Sequence, residues 1–238
     1  MNMAKTTGTL YLIPNSLGSG TDKYATQLLS ATVSRMEHFI VEEIKSARRL
    51  LRQMGVTRPL EELDFRMLNE HTRSQEVNSI IEPLLQGHDM GLISEAGVPC
   101  VADPGSTVVA LAHEQGIKVV PLVGPSSILL ALMASGFNGQ QFTFNGYLPR
   151  ERSERTRKIK QLEQLALTGI TQIFMDAPYR NNQVLEDVLQ TCRMETKLCI
   201  ASNITCDNER INTKTIMDWS VRKPDINKMP VMFLLGKG

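Results

Sequence analysis

The chain has 238 residues, and several features that would each point to a class of protein are scarce in it or missing. Its four cysteines, Cys100, Cys192, Cys199 and Cys206, form no Cys-x-x-Cys pair, which argues against a zinc site and makes reduced thiols the expectation. No apolar run approaches the roughly 18–20 residues of a membrane span, and the opening MNMAKTTGTLYLIP lacks the long apolar core of a signal peptide. A cytoplasmic protein with no metal and no membrane partner is expected. Aromatic residues make up 5% of the chain, and none interleaves with its basic stretch, so a platform for stacking nucleic-acid bases is unsupported. A dehydrogenase or a Rossmann-type methyltransferase wants a G-x-G-x-x-G fingerprint after the first strand and an acidic residue some 20 positions on. The fragment LGSGTD does not supply it. No Ser/His/Asp arrangement for nucleophilic catalysis stands out.

What remains is an ordinary soluble composition, 42% hydrophobic and 21% charged, arranged as alternating strands and helices. Strands are predicted at residues 9–13, 39–41, 65–68, 91–94 and 119–123, with helices at about 23–35, 46–54 and 74–86. Another helix is expected between the last two of those strands. In the second half, strands are predicted at 142–147, 171–175, 197–203, 210–215 and 231–235, and helices at 127–135, 153–167 and 182–190. Such alternation predicts α/β architecture in two domains, 1–121 and 122–238, the first sheet mostly parallel and the second mixed. No low-complexity linker separates them.

The net charge of +1 conceals an uneven distribution. Residues 1–120 carry 11 Lys/Arg against 14 Asp/Glu, and residues 121–238 carry 15 against 11. Much of the excess lies in one stretch, with Arg150, Arg152, Arg155, Arg157, Lys158 and Lys160 opposed by Glu151 and Glu154. It could neutralise phosphates, or it could be a solvated helix start.

Residues 91–127 are the most informative part of the chain. Ser94-Glu95-Ala96-Gly97-Val98-Pro99, then Asp103-Pro104-Gly105, then Gly124-Pro125-Ser126-Ser127 form two Gly/Pro-rich loops, each following a strand. If those strands are neighbours and parallel, the loops form a crevice, where open α/β sheets bind ligands. Other segments add to this: Gly8-Thr9-Leu10-Tyr11-Leu12-Ile13-Pro14, Glu42-Glu43-Ile44-Lys45, Asn69-Glu70-His71, Gly146-Tyr147-Leu148-Pro149 and Asp176-Ala177-Pro178-Tyr179-Arg180. Together these residues resemble the tetrapyrrole methylase family of S-adenosylmethionine-dependent methyltransferases. They are most similar to the branch that methylates a ribose 2′-hydroxyl in bacterial 16S ribosomal RNA.

The resemblance implies S-adenosylmethionine as cofactor, folded into a cleft between the two domains, ribosomal RNA or the small ribosomal subunit as partner, and a homodimer. It places Asp103, Pro104, Gly105, Ser126 and Ser127 at the cofactor's methionine end or adenosine, and Met175, Ala201 and Val231 around its adenine, with Leu17 as a further contact. Candidate proton acceptors are His71, then Glu43 and Lys45. A ribose hydroxyl is a poor nucleophile until a base shares its proton, and an imidazole titrates near neutrality. Glu70, Asp176, Arg180, Arg150, Arg152, Arg155 and Arg157 are candidates for binding the RNA.

Several positions depart from the branch pattern. Its Thr-Pro-Ile/Leu-Gly-Asn opening becomes Pro14-Asn15-Ser16-Leu17-Gly18-Ser19, and its acidic-Thr-Arg motif becomes Glu43-Ile44-Lys45. Its Ala-Arg-Glu-Leu-Thr-Lys strand becomes Ala201-Ser202-Asn203-Ile204-Thr205-Cys206, and a late Gly-Glu pair becomes Lys228-Met229-Pro230. These changes cluster where substrate would be handled, while the central cofactor loops are kept, as in a divergent paralogue. A small-molecule methyltransferase of the tetrapyrrole type and a non-catalytic cofactor- or RNA-binding paralogue remain the alternatives.

Overall fold

The computed structural model describes residues 7–18, 24–69, 72 and 74–237. The chain divides into two compact units, Met1–Pro125 and Ser126–Gly238.

In the first unit the order is β1 (Thr9–Ile13), α1 (Gln27–Val33), β2 (His38–Val41), α2 (Ile44–Gln53), β3 (Asp64–Met67), α3 (Ser74–Ile80), α4 (Glu82–Leu85), β4 (Met90–Ile93), α5 (Gly105–Glu114) and β5 (Lys118–Pro121). The strands lie in the order β3-β2-β4-β1-β5, and every pairing is parallel. A parallel sheet is covered on both faces, so its central strands read as unbroken apolar runs. Met90-Gly91-Leu92-Ile93 is buried throughout. Residues alternate between the faces: Phe39 and Val41 meet Leu29 and Val33 of α1 and Leu50 and Leu51 of α2, while Ile40 meets α3, α4 and α5 through Val77, Leu84 and Val108.

Two helices differ from their sequence prediction. The segment 74–86 is broken at Ile81, because Pro83 has no N–H to continue the ladder and instead sits in the first turn of α4. Helix α1 begins at Gln27, where the Thr26 hydroxyl accepts the Leu29 N–H at 3.1 Å. Of the expected earlier start, residue 23 lies outside the described residues.

In the second unit α6 (Ser127–Ser135), β6 (Phe142–Tyr147), α7 (Arg152–Leu167), β7 (Thr171–Met175), α8 (Asn181–Thr191), β8 (Lys197–Ser202), β9 (Arg210–Thr215), α9 (Ile216–Val221) and β10 (Val231–Gly236) follow in turn. The sheet order is β6-β7-β10-β8-β9; β6 and β7 are parallel and the remaining pairings antiparallel. Helices α7, α8 and α9 cover one face with Ile159, Leu162, Val184, Val188 and Trp219 packed on Phe174, Ile200 and Phe233. Helix α6 packs against β8, β9 and β10. Helix α9 is absent from the sequence prediction, since six residues are too few to show a period. No helix among the described residues is long and apolar enough to cross a membrane.

One buried charge pair joins α7 to α8. Arg155 and Asp187 are each 1% exposed; Arg155 Nε donates to Asp187 Oδ2 at 2.7 Å, and Arg152 Nε donates to Oδ1 at 2.9 Å. The Arg155 fork also donates to the carbonyls of Pro149 (3.2 Å) and Arg150 (2.6 Å), anchoring the turn before α7. Removing one partner strands the other charge away from water. Asp187→Ala is therefore expected to cost about 3–5 kcal/mol, measured as the loss in urea unfolding free energy. Arg157→Ala, at an exposed position on the same helix, should change it by no more than about 0.5 kcal/mol.

Candidate functional site

Strand β4 lies between β1 and β2. The helices after β1 and β2 pack on one face of the sheet, whereas α5, which follows β4, packs on the other. Diverging exits of this kind open a crevice at the carboxyl ends of the strands. The two Gly/Pro-rich loops follow β4 and β5, which are not neighbours as the sequence suggested: β1 separates them, and its own loop stands between theirs.

Asn15 is the link. Its N–H donates to the Gly97 carbonyl at 2.8 Å, and its side-chain amide donates to the carbonyls of Ser94 (2.9 Å) and Glu95 (3.0 Å). Gly97 has φ +71°, and a Cβ there would stand 3.1 Å from Leu17 Cδ2 and 3.3 Å from the Pro125 carbonyl oxygen. All three loops thus meet at this glycine. Gly124 is equally constrained, because a Cβ would lie 2.0 Å from that of Pro14.

The segment after β4 is held by Asp103. Both carboxylate oxygens accept the Cys100 N–H, at 3.0 and 2.8 Å, and Oδ1 also accepts the Gly105 N–H at 2.8 Å. Cys100 and Ala102 take left-handed backbone angles, φ 68° and 63°, a conformation that L-residues adopt only when other bonds enforce it. Asp103 supplies two of those bonds. The Cys100 thiol is pushed up to about 11 by burial and by the neighbouring Asp103 charge. Pro104 occupies the residue before α5, and Gly105 is the buried first residue of that helix.

Two further acids, missed from the sequence, converge on this loop. Glu42, half-buried at the end of β2, has its carboxyl pushed above the ordinary value, first by burial and then by the charge of Asp103, against a hydrogen bond from the Glu95 main chain that lowers it. Glu95 accepts the Ser46 hydroxyl at 2.6 Å. A glutamate directly after a short buried strand was the available signal, because strand exits in a parallel sheet are where side chains reach a ligand.

The candidate bases fare differently. Glu43 caps α2: its Oε1 accepts the Lys45 N–H at 2.9 Å and its Oε2 the Ser46 N–H at 2.7 Å, and these bonds hold its carboxyl below the ordinary value. That carboxylate is a poorer proton acceptor than the sequence suggested. Lys45 is exposed in the first turn of the same helix. His71 and Glu70 lie outside the described residues. His38, for which the sequence showed no companion, bonds Asp64 at 3.0 Å and has its ring 5.2 Å from that of His88.

In the second unit Ser126 caps α6, its hydroxyl 3.5 Å from the Leu129 N–H, and Ser127 is the first residue of that helix. Met175 and Ala201 both pair with Met232, so the three share one face at one end of the sheet. Val231 is corrected: its side chain points to the opposite face, into the core under α7 and α8, because neighbouring strand residues alternate. Beyond Met175, Asp176 is buried with Oδ1 3.2 Å from Arg180 Nη1, and its Oδ2 has no hydrogen-bond partner among the described residues. Arg180 also donates to the Pro149 carbonyl at 3.1 Å.

The basic stretch is corrected too. Arg155 belongs to the interior and cannot reach RNA; Arg152 is bonded to Asp187 and, at 2.9 Å, to Gln190. Arg150 and Arg157 remain exposed. Among the described residues no group of three or more His, Cys, Asp or Glu is placed to hold a metal ion, and all four cysteines are free.

The two-unit α/β architecture is similar to that in the crystal structure of the methyltransferase CobJ, with a TM-score of 0.66 at 16% identity, over 97% of this chain and 95% of that one. Residues 11–218 match the family model described as Tetrapyrrole (Corrin/Porphyrin) Methylases. The chain is 30% identical over 236 residues to the ribosomal RNA small subunit methyltransferase I of Haemophilus influenzae, covering 98% of this chain and 80% of that protein. The protein of the same name from Vibrio cholerae is 30% identical over 232 residues, covering 96% and 77%. The chain belongs to the tetrapyrrole methylase family, within the branch of these methyltransferase I proteins, and is an S-adenosylmethionine-dependent methyltransferase.

The raised Glu42 carboxyl has a consequence for stability. A group whose pKa is raised by folding contributes stability below its unfolded value, 4.5, and that contribution is lost as pH rises through the folded value. Glu42→Gln should match the parent protein in acid and become progressively more stable than it toward neutral pH, as read from urea unfolding across that range.

Proposed function

We propose that this protein transfers the methyl group of S-adenosylmethionine to a ribose 2′-hydroxyl of ribosomal RNA in the small ribosomal subunit. The likeness to the Haemophilus influenzae protein, which runs almost the whole length of this chain, carries the reading. A cytoplasmic homodimer belongs to the same proposal. Leu129 and Met133 of α6, 51% and 78% exposed, are apolar surface of the kind that self-association covers.

The residues fit the cofactor. Glu42, Glu95 and Asp103 make the strand ends of the first unit acidic, which suits a ligand with a sulfonium and an ammonium group. The Asp103 carboxylate accepts two amides and has spare lone pairs. In the proposal, Leu17, Asp103, Pro104 and Gly105 hold the cofactor from the first unit. Ser126, Ser127, Met175 and Ala201 hold it from the second, joined by the Val231 main chain. Buried Asp176 Oδ2 is a free acceptor for a hydroxyl or amine beside Met175.

The bound cofactor supplies a methyl group on positively charged sulfur. The protein's part is to hold the acceptor oxygen in line, within about 3–3.5 Å, and to take its proton. His71 is the proposed acceptor of that proton, since the Glu43 carboxylate is tied to the amides that start α2. Glu70 and Arg180, with exposed Arg150 and Arg157, are proposed to position the RNA.

The test is incubation with methyl-labelled cofactor and small ribosomal subunits from a strain lacking this gene. Label is expected in one ribose of the RNA; label in a small metabolite would overturn the assignment. Asp103→Ala should weaken cofactor binding at least about tenfold by calorimetry, as loss of a charged acceptor would. Wild-type affinity would remove Asp103 from the site.

A further inference from the structure

The second unit carries a cavity that the proposed cofactor residues do not use. It encloses about 380 Å³, within the range of small-ligand sites, and is lined by β8, β9, α9 and residues 222–229. Ile200 and Ser202 face it from β8, while Ala201 between them points to the opposite face beside Met232.

Its walls are cationic. Arg210 and Lys214 come from β9, Arg222 and Lys223 follow α9, and the one carboxylate is that of Asp225. Among the described residues Asp225 makes no ion pair with either arginine; its Oδ1 accepts Asn182 Nδ2 at 2.8 Å and the Asn227 N–H at 3.1 Å. Lys214 Nζ lies 4.8 Å from the Trp219 ring centroid, and Lys223 is 4.0 Å from Glu186. Arg210 and Arg222 are exposed, and among the described residues neither guanidinium has a hydrogen bond or an ion pair.

Edge strands often carry cations that deter pairing with other chains, and β9 is an edge strand. That role does not explain this placement. Arg210, Asn212 and Lys214 share the face toward the cavity, whereas Thr213 between them turns away and its hydroxyl donates to the Ser135 carbonyl at 2.7 Å. Arg222 and Lys223 reach the same hollow from a different element. The floor offers no free aromatic face for a base: Trp219 is 5% exposed, its Nε1 is bonded to the Leu198 carbonyl at 2.9 Å, and Lys214 covers its ring. Unpaired guanidinium forks without a stacking surface are the chemistry of phosphate recognition.

We propose that this cavity seats backbone phosphates of the RNA substrate, with Arg210 and Arg222 as their principal partners. The proposal rests on the RNA reading of function given above. It gives the basic second half a docking surface that the stretch from Arg150 to Lys160 cannot supply alone, since Arg155 and Arg152 are engaged with Asp187.

The test is the double variant Arg210→Gln/Arg222→Gln, with binding of deproteinised small-subunit ribosomal RNA measured by filter retention over a series of salt concentrations. Affinity at low salt should fall about tenfold, and the salt slope should decrease by roughly 0.7–0.9 for each phosphate that the variant no longer neutralises. Cofactor affinity by calorimetry should be unchanged, and Arg210→Lys/Arg222→Lys should restore most of the slope. Full RNA affinity with an unaltered slope in the glutamine variant overturns the cavity assignment while leaving the RNA reading intact. A parent protein with no salt-dependent RNA binding overturns both.

Discussion

A single buried amide side chain decides whether the strand ends of the first unit can present anything to a ligand. Loops leaving a parallel sheet have no ladder to satisfy their polar groups, and burying those groups unpaired is costly. Asn15 meets that demand for the β4 loop by donating to two of its carbonyls, while its own N–H binds Gly97. Fixed there, the loop can hold Cys100 and Ala102 in left-handed conformations and let Asp103 close the turn into α5. The strain of that turn is sustained by neighbours on either side.

Charge is divided between the units, acidic at the strand ends of the first and basic along one edge of the second. Acidic side chains gather at the exits of β2 and β4, close enough to raise the proton affinity of Glu42. Basic side chains gather around β9 and the end of α9. The near-neutral total is the sum of these opposed fields, and it says little about either. On the proposals made above, the acidic strand ends face the cationic methyl donor and the arginine-lined cavity the polyanionic acceptor.

Strand positions were legible in the sequence because buried strands are short apolar runs punctuated by Gly, Pro and Asp. The parallel order was legible in class but not in detail: nothing local to β4 says that it inserts between β1 and β2. Helix α9 and the break at Ile81 were hidden by shortness and by one proline. Arg155 was misread although a signal existed. It lies on the stripe of Ile159, Leu162 and Ala166, at helical spacings of four, three and four, so its charge had to be buried with a partner. That partner, Asp187, comes from another helix, and only the tertiary fold brings it near. The same applies to Arg210 and Arg222, which a linear reading cannot bring to one hollow.

The placement of β10 bears on how the protein is made. Its six residues are all buried, and it sits between β7 and β8, pairing with both. Until residues 231–236 have emerged from the ribosome, the two strands it joins have open edges and Phe174 lacks the Phe233 ring that stacks on it at 5.4 Å. The first unit draws on no residue beyond Pro125 for its sheet and can condense while synthesis continues. The sheet of the second unit is completed only when its central strand, the last of its five in sequence, is made.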